Sequence, residues 1–218
     1  MPIKKDREYR NMAIEIRQPE EGEPEKIVVG YASTFDDPYL LFKGAGWELW
    51  ETVDRGAFDA TDMDDVIMQY NHEGRVFART RNNTLVVTPD DKGLFIKADL
   101  GGTELGRGLY EEIAGGYTDR MSFGFTVSEE SEDRKTDVLT GKEIYTRHIK
   151  KVGKLFDVSA VSIPANDGTE ISADPVTRSI GDLTGGVIER IKAERLEAEK
   201  VEAERIKAQI FARTIGGK

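Results

Sequence analysis

The chain has no cysteine and only two histidines, at 72 and 148, in 218 residues. The missing cysteine rules out disulfides and thiolate metal sites and suits a reducing compartment. Two histidines with no His-Glu-x-x-His spacing make a histidine-rich zinc site unbuildable without carboxylate help. Basic charge is also short: 31 Lys and Arg against 41 Asp and Glu give a net charge of −10. A nucleic-acid reader would carry a basic face or stripe. No apolar run approaches the roughly 18 residues of a membrane span. The start, Met1-Pro2-Ile3-Lys4-Lys5-Asp6-Arg7, has no apolar stretch behind it and does not read as a secretory signal. The expectation is a soluble protein with no metal, no cofactor, no membrane and no nucleic-acid partner.

What remains for chemistry is sparse and well placed. His72 closes the run Val66-Ile67-Met68-Gln69-Tyr70-Asn71. Ser122 lies within Met121-Ser122-Phe123-Gly124-Phe125, and Asp157 opens Asp157-Val158-Ser159-Ala160-Val161. A serine hydroxyl is a poor nucleophile until a base within hydrogen-bond reach takes its proton. Histidine suits that task near neutral pH, and a third group orients the ring. Each of the three also has an ordinary reading: a strand serine, a strand-end histidine, and an aspartate paired with a nearby Lys or Arg.

The pattern reads as many short strands with little helix, an α+β, mostly β domain. Residues 1–10 are charged and expected to fray. Met12, Ile14 and Ile16 alternate with polar neighbours, and with 26–33 they predict a hairpin across the cluster Pro19 to Pro24. A long loop is expected between the signals at 36–38 and 43–46. Strands follow at 47–53, 65–70, 84–88 and 93–99, the last two joined by the turn Pro89 to Gly93. Thr103 caps a helix over 104–114 with the stripe Leu105, Leu109 and Ile113; Gly106 and Gly108 weaken it by about 1 kcal/mol each. In 121–127, Met121, Phe123, Phe125 and Val127 share one face, and Ser122 shares the other with Gly124 and Thr126. Those small neighbours leave room for a substrate. The acidic stretch 128–142 reads as a loop, with strands at 143–150 and 154–163.

From 166 to 186 the composition turns to Asp, Gly, Ser, Thr and Pro, a linker after a domain at 11–165. Beyond it, 187–213 form a charged helix with apolar residues Ile191, Leu196, Val201 and Ile206 five apart. Five residues rotate about 500°, so these side chains wind around the helix without a seam. The helix either spaces and tethers, or docks through its apolar ends.

The runs Gly30-Tyr31-Ala32-Ser33-Thr34-Phe35, Arg55-Gly56-Ala57-Phe58, Tyr70-Asn71-His72-Glu73, Met121 to Phe125 and Asp157 to Asn166 resemble the prohead maturation proteases of HK97-type tailed phages. Each piece alone is unspecific; the set in this order is specific and covers about residues 12–170. The family is similar to the herpesvirus assembly proteases. The resemblance therefore implies a small β-barrel ringed by helices, with Ser122 as nucleophile and His72 as general base. Asp157 falls where the family usually has an acidic residue, more commonly Glu. The herpesvirus relatives use a second histidine instead, which keeps His148 as the alternative third member. Oxyanion donors stay open between backbone N–H groups and an arginine such as Arg147. The implied task is cleavage of major capsid protein and scaffold segments, and of the chain itself, inside the assembling procapsid in the host cytoplasm. A homo-oligomer is compatible with this. Two other readings stand beside it: a structural prohead component working through the C-terminal helix, and an unrelated acidic binding module.

Overall fold

The computed structural model describes residues 7–16, 26–162 and 186–215. Among the described residues ten strands make one sheet: β1 (Glu8–Ile16), β2 (Ile27–Thr34), β3 (Tyr39–Gly44), β4 (Trp47–Val53), β5 (Ile67–Tyr70), β6 (Glu73–Arg79), β7 (Leu85–Pro89), β8 (Gly93–Asp99), β9 (Arg120–Thr136) and β10 (Glu143–Val161). The helices among the described residues are α1 (Glu104–Ala114) and α2 (Val187–Ile215). Along the sheet the order is β3-β4-β10-β9-β1-β2-β8-β7, with β5 on β10 and β6 on β5.

The expected closed barrel is not found. No backbone pairing joins β6 to β7 among the described residues, so the sheet has edges there. It nonetheless curls. Met68 of β5, Ala78 of β6, Leu85 of β7, Ile96 of β8, Phe123 of β9 and Val158 of β10 all enter one buried cluster, joined by Leu109 and Ile113 of α1. Strands at opposite ends of a flat sheet could not share a core.

Alternation sets the in-and-out pattern on β9 as expected: Met121, Phe123 and Phe125 are buried in the core. The β7–β8 hairpin turns on Asp90, whose carboxylate accepts from the N–H groups of Lys92 (2.8 Å) and Gly93 (2.9 Å). Thr103 caps α1 by accepting from Gly106 N–H at 2.9 Å. The glycines of α1 then differ. A Cβ on Gly106 would stand 2.4 Å from the carbonyl oxygen of Leu100, whereas one on Gly108 meets nothing within 4 Å.

The region 128–142 departs most from expectation. β9 continues to Thr136 and β10 is one strand of 19 residues, so the two form a long antiparallel ribbon instead of a loop between separate strands. The reason is charge across the pair. Acidic β9 faces basic β10: Glu129 meets Lys151, Glu130 meets Arg147, and Asp133 meets His148. Either strand alone looks like solvent-exposed coil. Likewise the expected loop at 36–46 contains β3, which pairs with β4 and packs Phe42 against Trp47 with ring centroids 4.7 Å apart and the planes tilted by 37°. β6 was not foreseen, its first four residues being exposed and unpatterned.

Four register shifts between Ile149 and Asp157 bend the ribbon. Just before the bend, where Arg147 of β10 stands opposite Glu51 of β4, lies a buried ion cluster. Arg10 donates to Glu51 at 2.5 and 2.6 Å and to Glu8 at 2.7 Å. Arg147 donates to Glu8 at 2.5 and 2.8 Å and to Glu51 at 3.0 Å. Glu51 is fully buried and also accepts from Tyr39. Burial opposes charge on Glu8, but the bonds from Arg147 and Arg10 outweigh it and hold the carboxyl below its usual 4.5. Burial raises the Tyr39 phenol far above 10.0, with the Glu51 carboxylate adding to the rise.

Of the expected linker at 166–186, all but Gly186 lies outside the described residues. α2 begins by burying Val187, Ile188 and Ile191 against Leu41, Trp47, Leu49 and Tyr145. Further along, Leu196, Val201 and Ile206 are exposed, as a five-residue step requires.

Gly108→Ala should raise stability by about 0.5–1 kcal/mol, while Gly106→Ala should lower it by about 1 kcal/mol or more; thermal unfolding reads both. Glu51→Ala leaves two buried arginines short of a partner and should cost about 3–5 kcal/mol, measurable by urea unfolding. Because its folded-state carboxyl is depressed, Glu8 contributes stability above pH 4.5 that is lost as pH falls through the folded value. Unfolding free energy should therefore drop on acidification, and Glu8→Gln, though less stable throughout, should show a shallower drop.

Candidate active site

His72 owes its position to a tight turn. The β5–β6 connection is two residues long, with Tyr70 paired to Glu73 across it. Asn71 and His72 both take left-handed backbone, φ 49° and 59°. Positive φ at both central residues is the mark of a type I′ hairpin turn. Asparagine adopts that conformation readily; histidine does so at some cost. The turn is fastened to the end of β10. Asn71 N–H donates to the Ala160 carbonyl (2.9 Å), and Asn71 Oδ1 accepts from Ser162 N–H (3.2 Å).

β5 runs parallel to β10 with Asp157 opposite Ile67 and Ala160 opposite Tyr70. On the other edge of β10, β9 places Ser122 opposite Ser159 and Gly124 opposite Asp157. The turn at the tip of β5 thus overhangs two strands, and His72 bridges them. Its Nε2 lies 2.7 Å from Ser122 Oγ, and its Nδ1 lies 2.5 Å from Asp157 Oδ1. A carboxylate only accepts, so Nδ1 carries the proton toward Asp157 and Nε2 is left to accept from the Ser122 hydroxyl. Ser122 and Asp157 are buried, and the His72 side chain is 20% exposed. The serine shares its face with Gly124 as the alternation predicts, yet it is only 1% exposed, so the room expected beside it is not open surface.

The structure brings Ser122, His72 and Asp157 together. It does not bring His148, the alternative third member. His148 sits nine residues before Asp157 on β10, about 30 Å of strand. Its ring contacts Asp133 at 3.0 Å and Asp54 at 3.7 Å. Arg147, weighed as an oxyanion donor, is committed to Glu8, Glu51 and Glu130 in the ion cluster.

Two neighbours of Asp157 escaped the sequence reading. Ser159 Oγ donates to Asp157 Oδ1 at 3.0 Å. The two lie two apart on one strand and so on one face, a signal the sequence carried. Arg7, within the segment expected to fray, lays its guanidinium over the Phe156 ring at 3.6 Å, with Nη1 3.9 Å from Asp157 Oδ2. Among the described residues no group of three or more His, Asp or Glu side chains is arranged to hold a metal ion.

A hydroxyl, an imidazole and a buried carboxylate in line are equipped for acyl transfer. The family model described as caudovirus prohead serine protease matches residues 12–183. No curated protein and no solved structure gives a significant match. The matched span starts in β1, runs through every strand that shapes the site and passes the end of β10; the chain belongs to the caudovirus prohead serine proteases.

Proposed function

We propose that this serine protease matures the phage prohead by cleaving terminal segments of the major capsid protein and scaffold, and then itself, with Ser122 as nucleophile, His72 as general base and Asp157 as the orienting carboxylate. The observation that carries the reading is the unbroken chain from Ser122 Oγ through His72 to Asp157, at 2.7 and 2.5 Å. Ser122 Oγ attacks the scissile carbonyl carbon while its proton passes to His72 Nε2. The imidazolium, held by Asp157, returns that proton to the departing amine, leaving an acyl-enzyme. Water, deprotonated by the same ring, releases the acyl product.

In this reading 11–165 are the protease and 166–186 the linker that is cut. The helix at 187–213 is a tether inside the procapsid. The docked start of α2 and the exposed stretch after it support the last role: the helix is 29 residues long, about 43 Å, and buries Val187, Ile188 and Ile191 while Leu196, Val201 and Ile206 stay exposed. The same observation favours a second, coexisting reading in which α2 serves as a scaffold element.

Purified chain mixed with its major capsid protein, followed by intact mass spectrometry, tests the reading. Wild type should shorten the capsid protein and itself, the latter within 166–186. Ser122→Ala should be slower by at least about 10³-fold in both, and Asp157→Ala by a comparable factor, with His148→Ala near wild type. Capsid processing by Ser122→Ala at the wild-type rate would end the proposal. Loss of activity in His148→Ala with none in Asp157→Ala would reassign the third member.

A further inference from the structure

β10 brings a fourth polar group to the site. Its pleat sends Val158 and Ala160 into the core and leaves Asp157 and Ser159 together on the other face. Ser159 is fully buried. Its hydroxyl donates at 3.0 Å to Asp157 Oδ1, the same oxygen that His72 Nδ1 meets at 2.5 Å. Ser159 is also the register partner of Ser122 on β9. The polar chain therefore leaves β9 at Ser122, crosses to the β5–β6 turn at His72, returns to β10 at Asp157, and ends at Ser159 beside its starting point. A buried hydroxyl is costly unless it is bonded; here its bond goes to the carboxylate that faces the base.

We propose that Ser159 is a positioning residue of the proteolytic site, fixing the Asp157 carboxylate and, through it, the protonation behaviour of His72. The proposal rests on the assignment of Ser122, His72 and Asp157 made above. Ser159 forms no bond to substrate. Its effect has two parts. The torsion that swings a carboxylate is broad and soft; Arg7 faces the other oxygen, Oδ2, at 3.9 Å, beyond hydrogen-bond length, so on Oδ1 one bond from the imidazole leaves the group free to pivot. A second donor on Oδ1 holds it. The second part is electrostatic. A hydrogen bond to an ionised carboxylate draws off part of its charge. Without it, Asp157 holds the imidazolium more tightly, and His72 keeps its proton to a higher pH. The rate of any reaction that needs neutral His72 then rises later on the pH scale.

The test uses the full-length protein and a fluorophosphonate, which needs no knowledge of the cleavage sequence. Ser122 Oγ bonds to phosphorus, fluoride leaves, and the serine proton passes to His72. Labelling rates are measured from about pH 5 to about pH 9, the range over which imidazole titrates. Ser159→Ala should label about tenfold more slowly near neutrality. The midpoint of its rising limb should move up by about half a unit or more. Ser159→Cys keeps the shape of the side chain, slightly enlarged, but donates weakly; it should shift the midpoint the same way, and it serves if the alanine variant does not fold. In an Asp157→Asn background, Ser159→Ala should change the rate by less than about twofold, because the two act through one group.

An unmoved midpoint in both Ser159 variants overturns the proposal, whatever happens to the rate. So does an equal loss from Ser159→Ala with and without Asp157→Asn. Ser122→Ala is the control that separates the two levels. If it still labels, the nucleophile assignment falls and takes this proposal with it. If it does not label and the Ser159 variants behave as wild type, only this proposal falls.

Discussion

One strand holds the molecule together. β10 is paired along both edges: antiparallel to β9 for its whole length, parallel to β4 over its first part and parallel to β5 over its last. Parallel neighbours need long crossovers, so β10 can join them only after the chain has laid down β4 and β5 far upstream. The site exists because of this arrangement. Among the described residues β5 pairs only with β10 and β6, and its tip carries His72. Without β10 between them, nothing would register that tip against Ser122 on β9. The same strand supplies Asp157 and Ser159, and its final residues fasten the turn.

Two kinds of electrostatics operate on this frame. Along the exposed part of the ribbon, acidic β9 faces basic β10 in pairs that are solvated and individually weak. Their value is in the sum: an acidic strand beside a basic one is favoured where two like-charged strands would repel. Just before the bend, Arg10, Arg147, Glu8 and Glu51 are buried together. There the gain from attraction is largely offset by desolvation, and what the cluster supplies is intolerance of a missing member.

Local signals in the sequence were sound where the interaction is local. The Thr103 cap, the Asp90 turn and the alternation of 121–127 depend on neighbours within a few residues, and each stands in the structure. The run from 128 to 136 failed as a strand because its stabilising partners lie on β10, beyond a turn, and acidic sequence by itself resembles coil. β3 and β6 failed for the same reason, being edge or near-edge strands with little buried face. His72 was legible as a residue at the end of a strand. Its left-handed backbone and the overhang across two strands were not, since both follow from a two-residue turn docked on a strand some ninety positions later. Barrel closure, expected from resemblance, depends on whether β6 and β7 pair, and no local pattern records that.

The buried ion cluster also bears on how this sequence can change. Two arginines and two glutamates on three strands balance as a set, so replacing any one strands a charge of the opposite sign in the interior. A lineage walking one substitution at a time meets a barrier at each of the four positions. An apolar replacement of the whole quartet could be well tolerated, yet every single step toward it is not. The four positions are thus coupled energetically. A mutational library that samples them singly would record four intolerant sites and miss the compatible combinations that lie beyond.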